Sequence, residues 1–190
     1  MLALLVNFAW DDFVRRNNDE LVATWGNLVN RVLTFTYRNF DRAVPNPSAL
    51  QPGDEALIAR AAKAITETGE HISLCHFRAG LESAMAGARE ANRYVEESAP
   101  WKLVKEDRDR CATVLYTSIR AIACLNVAFS PYLPFTSQTV HGYLGNEGPL
   151  QALGWQPVAP APGQPLAEVQ PLFRKLDPAS VEEEVARLGA

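Results

Sequence analysis

Cysteine and histidine are scarce in this sequence, which has only three of each among its 190 residues. Cys75, Cys111 and Cys124 are too few and too widely spaced for a disulfide framework, so a reducing compartment, the cytoplasm, is expected. A closed zinc site needs four ligands, which usually come in pairs, and His71, Cys75 and His76 form only one cluster. We therefore expect no metal site, and ordinary packing or surface roles for these side chains.

The sequence also has no long apolar run and no excess of positive charge. Its opening, "MLALLVNFAW", is shorter than the roughly 18 apolar residues that predict a membrane span, and it lacks the basic start of a signal peptide. The net charge of −4 argues against a protein that coats nucleic acid through its phosphates. Recognition of a few unpaired bases remains possible, because it depends on stacking and hydrogen bonds. No membrane partner is expected.

No stretch alternates with the period of two that strands require, and apolar residues instead recur at helical spacing. Asn18 is suited to cap the first helix, and Leu74 and Phe77 are expected on the buried stripe of the third. The later helices are predicted over about 54–72, 74–98, 107–129 and 135–144. The expected fold class is all-α, an antiparallel bundle of about five helices followed by a proline-rich C-terminal tail.

Sequence patterns typical of catalysis are missing. No serine or cysteine lies in an elbow-like turn, and "GYLGNEG" (142–148) has neither the GK[ST] ending of a phosphate-binding loop nor a strand before it. We interpret it as the loop that ends the bundle. No catalytic residue is expected in this chain.

The first helix carries a polar stripe beside its apolar face. On a wheel of roughly 100° per residue, five polar side chains fall within about 80° of one another. They are Thr24, Asn27, Arg31, Thr34 and Arg38. The pattern alone suits a solvated helix face, and Arg38 in particular fits plain surface charge.

"ESAPWKL" (97–103) places a tryptophan directly after a proline. The residue before a proline avoids the α-helical conformation, so the helix should end near Ala99. Trp101 then lies at a corner. There it would be either a buried plug at the end of the bundle or an exposed aromatic ring.

Two segments together resemble a known family. "NNDELVATWGNLVNRVLTF" (17–35) and "AGAREANRYVEESAPWKL" (86–103) are similar to the C-terminal anticodon-binding domain of bacterial methionyl-tRNA synthetases, over about residues 7–177. "FAWDDFVRRNNDEL" resembles the segment that joins the catalytic half to the bundle, and "PLFRKLD" resembles the segment that ends the bundle. The resemblance implies a joining segment over residues 1–16, the bundle over 17–148 and a wrapping tail over 149–190.

The resemblance also implies a function and a site. This family recognises the CAU anticodon of methionine tRNA. Asn27 and Arg31 would hydrogen-bond the first anticodon base, a cytosine, and Trp101 would stack on it. Glu96 would repel a wrongly placed acceptor or phosphate, or would be an ordinary surface glutamate.

The HIGH-like and KMSKS-like motifs of the synthetase's catalytic half are missing from this chain. The chain alone is therefore not expected to form an aminoacyl-adenylate, and ATP and magnesium would belong to a catalytic domain supplied in cis or in trans. Three interpretations remain: part of a methionine–tRNA ligase, a free-standing RNA-binding paralogue without catalysis, or a helical protein-docking module.

Overall fold

The computed structural model describes residues 9–177 together with 179, 181 and 187. The helical elements of this part are α1 (Trp10–Arg16), a π-helical segment (Asn17–Gly26), α2 (Asn27–Asn39), α3 (Pro52–Ser73), α4 (Phe77–Ser98), α5 (Pro100–Glu106), α6 (Arg108–Phe129), α7 (Pro134–Tyr143) and a 3-10 turn (Leu150–Leu153). Within the described residues there is no strand, only a β-bridge between Ala43 and Pro165. The predicted all-α class is confirmed. The apolar opening at residues 1–8 and most of the tail beyond 177 lie outside the described part.

The first helix begins at Trp10, and the prediction that Asn18 caps it is wrong. Asp11 and Asp12 occupy the first turn, where carboxylates favour a helix start, and the backbone then continues through Asn18 without a break. The Asn18 side chain has another role. Its amide nitrogen donates to the Leu176 carbonyl at 2.8 Å, and its oxygen accepts from the Leu176 N–H at 2.9 Å. These bonds hold residues 171–177, here called the strap, against the first helix.

The other predicted helices are present, with boundaries close to those expected. The clearest error concerns the start of α4, because Leu74 and Phe77 are 64% and 57% exposed rather than buried. The chain reverses between α3 and α4 through Cys75, which has a left-handed φ of 58°. The apolar stripe of α4 therefore begins only after this turn. The short helix α5 was not predicted.

Helix α6 forms the centre of the bundle. Its residues from Cys111 to Phe129 are almost all buried, and it packs against α3, α4, α5 and α7. The rings of Phe129 and Trp25 lie 4.7 Å apart in the core. By length and composition α6 could cross a membrane, but 89% of its most apolar window is buried inside the bundle. Its apolar character is accounted for by that central position.

Gly87 allows α4 to approach α3 and α6 closely. A Cβ at this position would overlap the Leu125 side chain and lie 3.3 Å from the Ala64 Cβ. We expect Gly87→Ala to lower the free energy of unfolding by about 1–3 kcal/mol through overpacking, although alanine favours helix formation. Gly142→Ala on α7 is the matched control, since nothing lies within 4 Å of the added Cβ. Chemical denaturation compares the two variants, and equal stabilities would contradict this prediction.

Candidate nucleic-acid interface

The corner that carries Trp101 is formed by one left-handed residue. Ala99 has φ 43° and ψ 59°, and its N–H still bonds the Val95 carbonyl at 3.1 Å, so it ends α4. The predicted helix end near Ala99 is confirmed. Pro100 then occupies the first position of α5. Proline is favoured at this position because an N–H there would have no partner within the helix, so its absence costs nothing. The new helix sets the direction in which Trp101 projects.

Pro100 anchors this corner while Trp101 remains accessible. Pro100 is buried, and its carbonyl lies 3.4 Å from the Cys111 sulfur on α6. Burial raises the pKa of the Cys111 thiol to about 11, so the thiol stays protonated and can donate to that carbonyl. Trp101 itself is 37% exposed. Of the two interpretations of this tryptophan, the exposed ring is confirmed and the buried plug is wrong.

Arg31 lies directly over the Trp101 ring. Its guanidinium carbon is 5.0 Å from the ring centroid, and one of its nitrogens donates to a Glu96 carboxylate oxygen at 2.9 Å. A guanidinium over an indole face is a favourable cation–π contact. The pair with Glu96 is solvent-exposed and therefore contributes little stability. These contacts hold the guanidinium at the surface, where its remaining N–H groups are available to a ligand.

Two grooves adjoin at Arg31. The first, here called the Trp101 cleft, has a volume of about 250 Å³ and is lined by residues that include Asn30, Arg31, Thr34, Phe35, Arg38 and Trp101. The second, here called the α4 groove, has a volume of about 350 Å³ and is lined by residues that include Thr24, Asn27, Arg31, Asn92 and Glu96. The polar stripe of the sequence therefore faces these two grooves, with Arg31 shared between them.

Asn27 lies on the side of Arg31 away from the Trp101 cleft. It lines the α4 groove and also a smaller cavity of about 140 Å³ beside the strap. The strap approaches closely here, because a Cβ on Gly26 would lie 2.9 Å from a ring carbon of Phe173. The structure thus brings Arg31 and Trp101 into contact and places Asn27 one helical turn before Arg31.

Sequence reasoning missed a buried network behind the site. Asp54 is fully buried and accepts two hydrogen bonds from Arg110, at 2.5 and 2.8 Å, and one from the Tyr94 hydroxyl. Because these residues belong to α3, α6 and α4, the network joins three helices near the last turns of α4. In the sequence, Asp54 is recognisable only as a carboxylate in the first turn of a helix, and no pattern of residues indicates its partners on α4 and α6.

The charges of this network perturb its pKa values. Burial acts to raise the pKa of Asp54, but hydrogen bonds from Arg110, Tyr94 and the Gln51 backbone outweigh it and hold that pKa below its ordinary value. Burial and the neighbouring carboxylate raise the pKa of Tyr94. Asp54 is therefore ionised and Tyr94 neutral at physiological pH.

Asn92 is a second residue that sequence reasoning missed. Its side-chain nitrogen donates to the carbonyls of Thr24 and Ala88, each at 3.0 Å. The first bond joins α4 to the π-helical segment one turn before Asn27. Asn92 belongs to the segment 86–103 that resembles the family, but only the arrangement of the two helices shows what its side chain contacts.

Comparisons with known proteins found matching family models and relatives. A family model described as the anticodon binding domain of methionyl tRNA ligase matches residues 44–190, and one described as class I (M) tRNA synthetases matches residues 5–33. Methionine–tRNA ligases of Chloroflexus aurantiacus and Dehalococcoides mccartyi are 44% and 46% identical over 96% of this chain. The chain spans about a third of their length, 34% and 33%.

A solved structure shares the fold. The free form of Mycobacterium tuberculosis methionyl-tRNA synthetase matches with a TM-score of 0.83 and 26% identity, over 90% of this chain and 35% of that one.

Proposed function

Because the chain belongs to the methionyl-tRNA ligase family through its anticodon-binding domain, we propose that it binds methionine tRNA by recognising the CAU anticodon. The observation that carries the proposal is the Arg31 guanidinium held over the exposed ring of Trp101. This pair offers hydrogen-bond donors in contact with an accessible aromatic ring, and recognition of an unpaired base uses both kinds of group. Ligation of methionine with ATP and magnesium would require a catalytic domain, in cis or in trans, and is proposed only for the protein that contains one.

The chemistry of cytosine suits these side chains. The Watson–Crick edge of an unpaired cytosine presents one amino donor and two acceptors. Arg31 supplies N–H donors for the acceptors, and the amide oxygen of Asn27 accepts from the amino group. Uracil presents an N3–H where cytosine has an acceptor, and that N–H would face the guanidinium. Trp101 adds stacking energy with any base and therefore contributes to affinity rather than to selectivity among bases.

Replacing Arg31 by alanine tests this assignment. Arg31→Ala should weaken binding of a CAU hairpin and remove about 1–3 kcal/mol of the preference for CAU over UAU, because it deletes contacts to the base edge. Titration of labelled hairpins measures both quantities. Arg60→Ala is the matched control, since Arg60 lies on α3 and pairs with Glu67 at 3.1 Å.

The control should leave the preference unchanged. Equal binding of CAU and UAU hairpins by the unmodified chain would contradict the proposed function. No binding of either hairpin would favour a protein-docking role.

A further inference from the structure

The α4 groove contains a hydrogen-bond acceptor whose direction is fixed by the fold. The amide nitrogen of Asn92 donates to the carbonyls of Thr24 and Ala88. Rotating the amide by half a turn would place its oxygen against two carbonyl oxygens. The hydrogen-bond network therefore determines which position holds the amide nitrogen and which holds the oxygen. The side-chain oxygen of Asn92 is therefore the group left for a ligand.

This oxygen is accessible. Asn92 is half-buried and lines the groove together with Asn27 and Arg31. Among the residues that the structure describes, none donates a hydrogen bond to it. Arg89 and Arg93 also line the groove and are exposed, and they pair with Glu82 and Glu90 in surface ion pairs that contribute little stability. A phosphate of the ligand can therefore compete for these guanidinium groups. The groove thus combines a fixed acceptor with donors on one side and exposed arginines at its edge.

We propose that Asn92 is a base-recognising residue, whose side-chain oxygen accepts a hydrogen bond from the exocyclic amino group of an unpaired base in the α4 groove. This inference rests on the proposed function. Cytosine and adenine carry such an amino group, whereas uracil and hypoxanthine carry a carbonyl oxygen at the same position. A carbonyl facing the Asn92 oxygen would leave two acceptors opposed and unpaired, which disfavours the wrong base.

Two bases of a CAU anticodon meet this requirement. One is the cytosine that would stack on Trp101, and the other is the adenine that follows it. The α4 groove adjoins the Trp101 cleft at Arg31, so a neighbouring nucleotide can enter it. The uridine does not qualify, because it has no amino group.

A double-mutant cycle tests the proposal. It combines a substitution at Asn92 with removal of single exocyclic amino groups from the RNA. Asn92→Ala and the unmodified chain are titrated with three hairpins: CAU, CAU with 2-pyrimidinone in place of cytosine, and CAU with purine in place of adenine. The last two lack one amino group each. Asn92→Ala should weaken CAU about 3- to 10-fold, the size of one hydrogen bond. On the hairpin that lacks the responsible amino group, this loss should disappear.

Loss of the Asn92 effect on the pyrimidinone hairpin assigns the contact to cytosine, and loss on the purine hairpin assigns it to adenine. An Asn92→Ala effect of the same size on all three hairpins would overturn the proposal, because the amide would then act only through the Thr24 carbonyl. If the CAU preference over UAU persists in that case, the proposed function stands without the Asn92 contact.

Should Asn92→Ala fail to fold, the Asn27→Ala variant takes its place, because Asn27 is also proposed to accept from the cytosine amino group and its removal leaves Asn92 as the remaining proposed acceptor. Removal of the responsible amino group from the hairpin should still weaken binding by this variant about 3- to 10-fold. Unchanged affinity of Asn27→Ala for both altered hairpins would overturn the proposal.

Discussion

Replacement of Asp54 by alanine is expected to lower the free energy of unfolding by about 3–5 kcal/mol, because it breaks a buried ion pair by removing one partner. The carboxylate is fully buried and is bonded to Arg110 and Tyr94, so its removal leaves a guanidinium without its counter-charge. It also removes the acceptor of the Gln51 N–H at the start of α3, a bond of 2.8 Å. Urea denaturation followed by circular dichroism measures the loss.

An exposed ion pair provides the matched control. Asp12 bonds Arg15 and Arg16 at the surface of α1, and Asp12→Ala should lower the free energy of unfolding only slightly, because solvent screens such pairs and a first-turn carboxylate contributes little. If Asp54→Ala were as mild as Asp12→Ala, the buried network would not hold α3, α4 and α6 together. Replacing both Asp54 and Arg110 by apolar residues should recover part of the loss, because no unpaired charge then remains.

The same network should make stability depend on pH on the acid side. The pKa of Asp54 is lower in the folded protein than the value of about 3.9 expected when unfolded. The stabilisation from its ionised form is therefore present above about pH 4 and is lost as the pH falls through the folded-state pKa. This loss should be absent from denaturation curves of the Asp54 variant measured across the same pH range.

Replacement of Trp101 by alanine should weaken binding of a CAU hairpin by about 1–3 kcal/mol, since it removes the stacking surface. The free energy of unfolding should change little, because the ring is 37% exposed and the neighbouring Pro100, which is buried, holds this corner against the bundle. Arg31 already covers one face of the ring, so a base that stacks on that face must displace the guanidinium. For a base on that face, the lost cation–π contact offsets part of the stacking energy.

Two further variants make this measurement decisive. Trp101→Phe should keep most of the affinity, because a smaller ring still presents a stacking face. Trp155→Ala removes another tryptophan, 45% exposed near Gly69 on α3, and should not affect hairpin binding. A loss of about 3–5 kcal/mol in folding energy for Trp101→Ala, with unchanged binding by the folded fraction, would show a packing role instead.

Much of the fold was predictable because it depends on local pattern. Helical spacing of apolar residues and the proline at position 100 gave the class, the long helices and the corner after α4. The start of the first helix was not predictable in this way. Asn18 has the chemistry of a cap, and only the strap, which lies more than 150 residues away along the chain, shows that its amide is engaged elsewhere.

The candidate site was only partly predictable. Spacing placed Asn27 and Arg31 on one helix face, and the resemblance added Trp101, but the pairing of Arg31 with the ring needs the arrangement of two helices. Asn92 and the Asp54 network were missed for the same reason. Each acts through a partner on another helix, and a single sequence does not state which helices are neighbours.

The strap also has a consequence for the order of events when the chain folds. Asn18 and Leu176 are 158 residues apart, so their contact closes a loop that contains nearly the whole bundle. Closing so long a loop is entropically costly until the intervening helices have packed, which makes this contact a late one. An interaction that forms after the rate-limiting step slows unfolding without accelerating folding. The strap therefore contributes mainly to the lifetime of the native state.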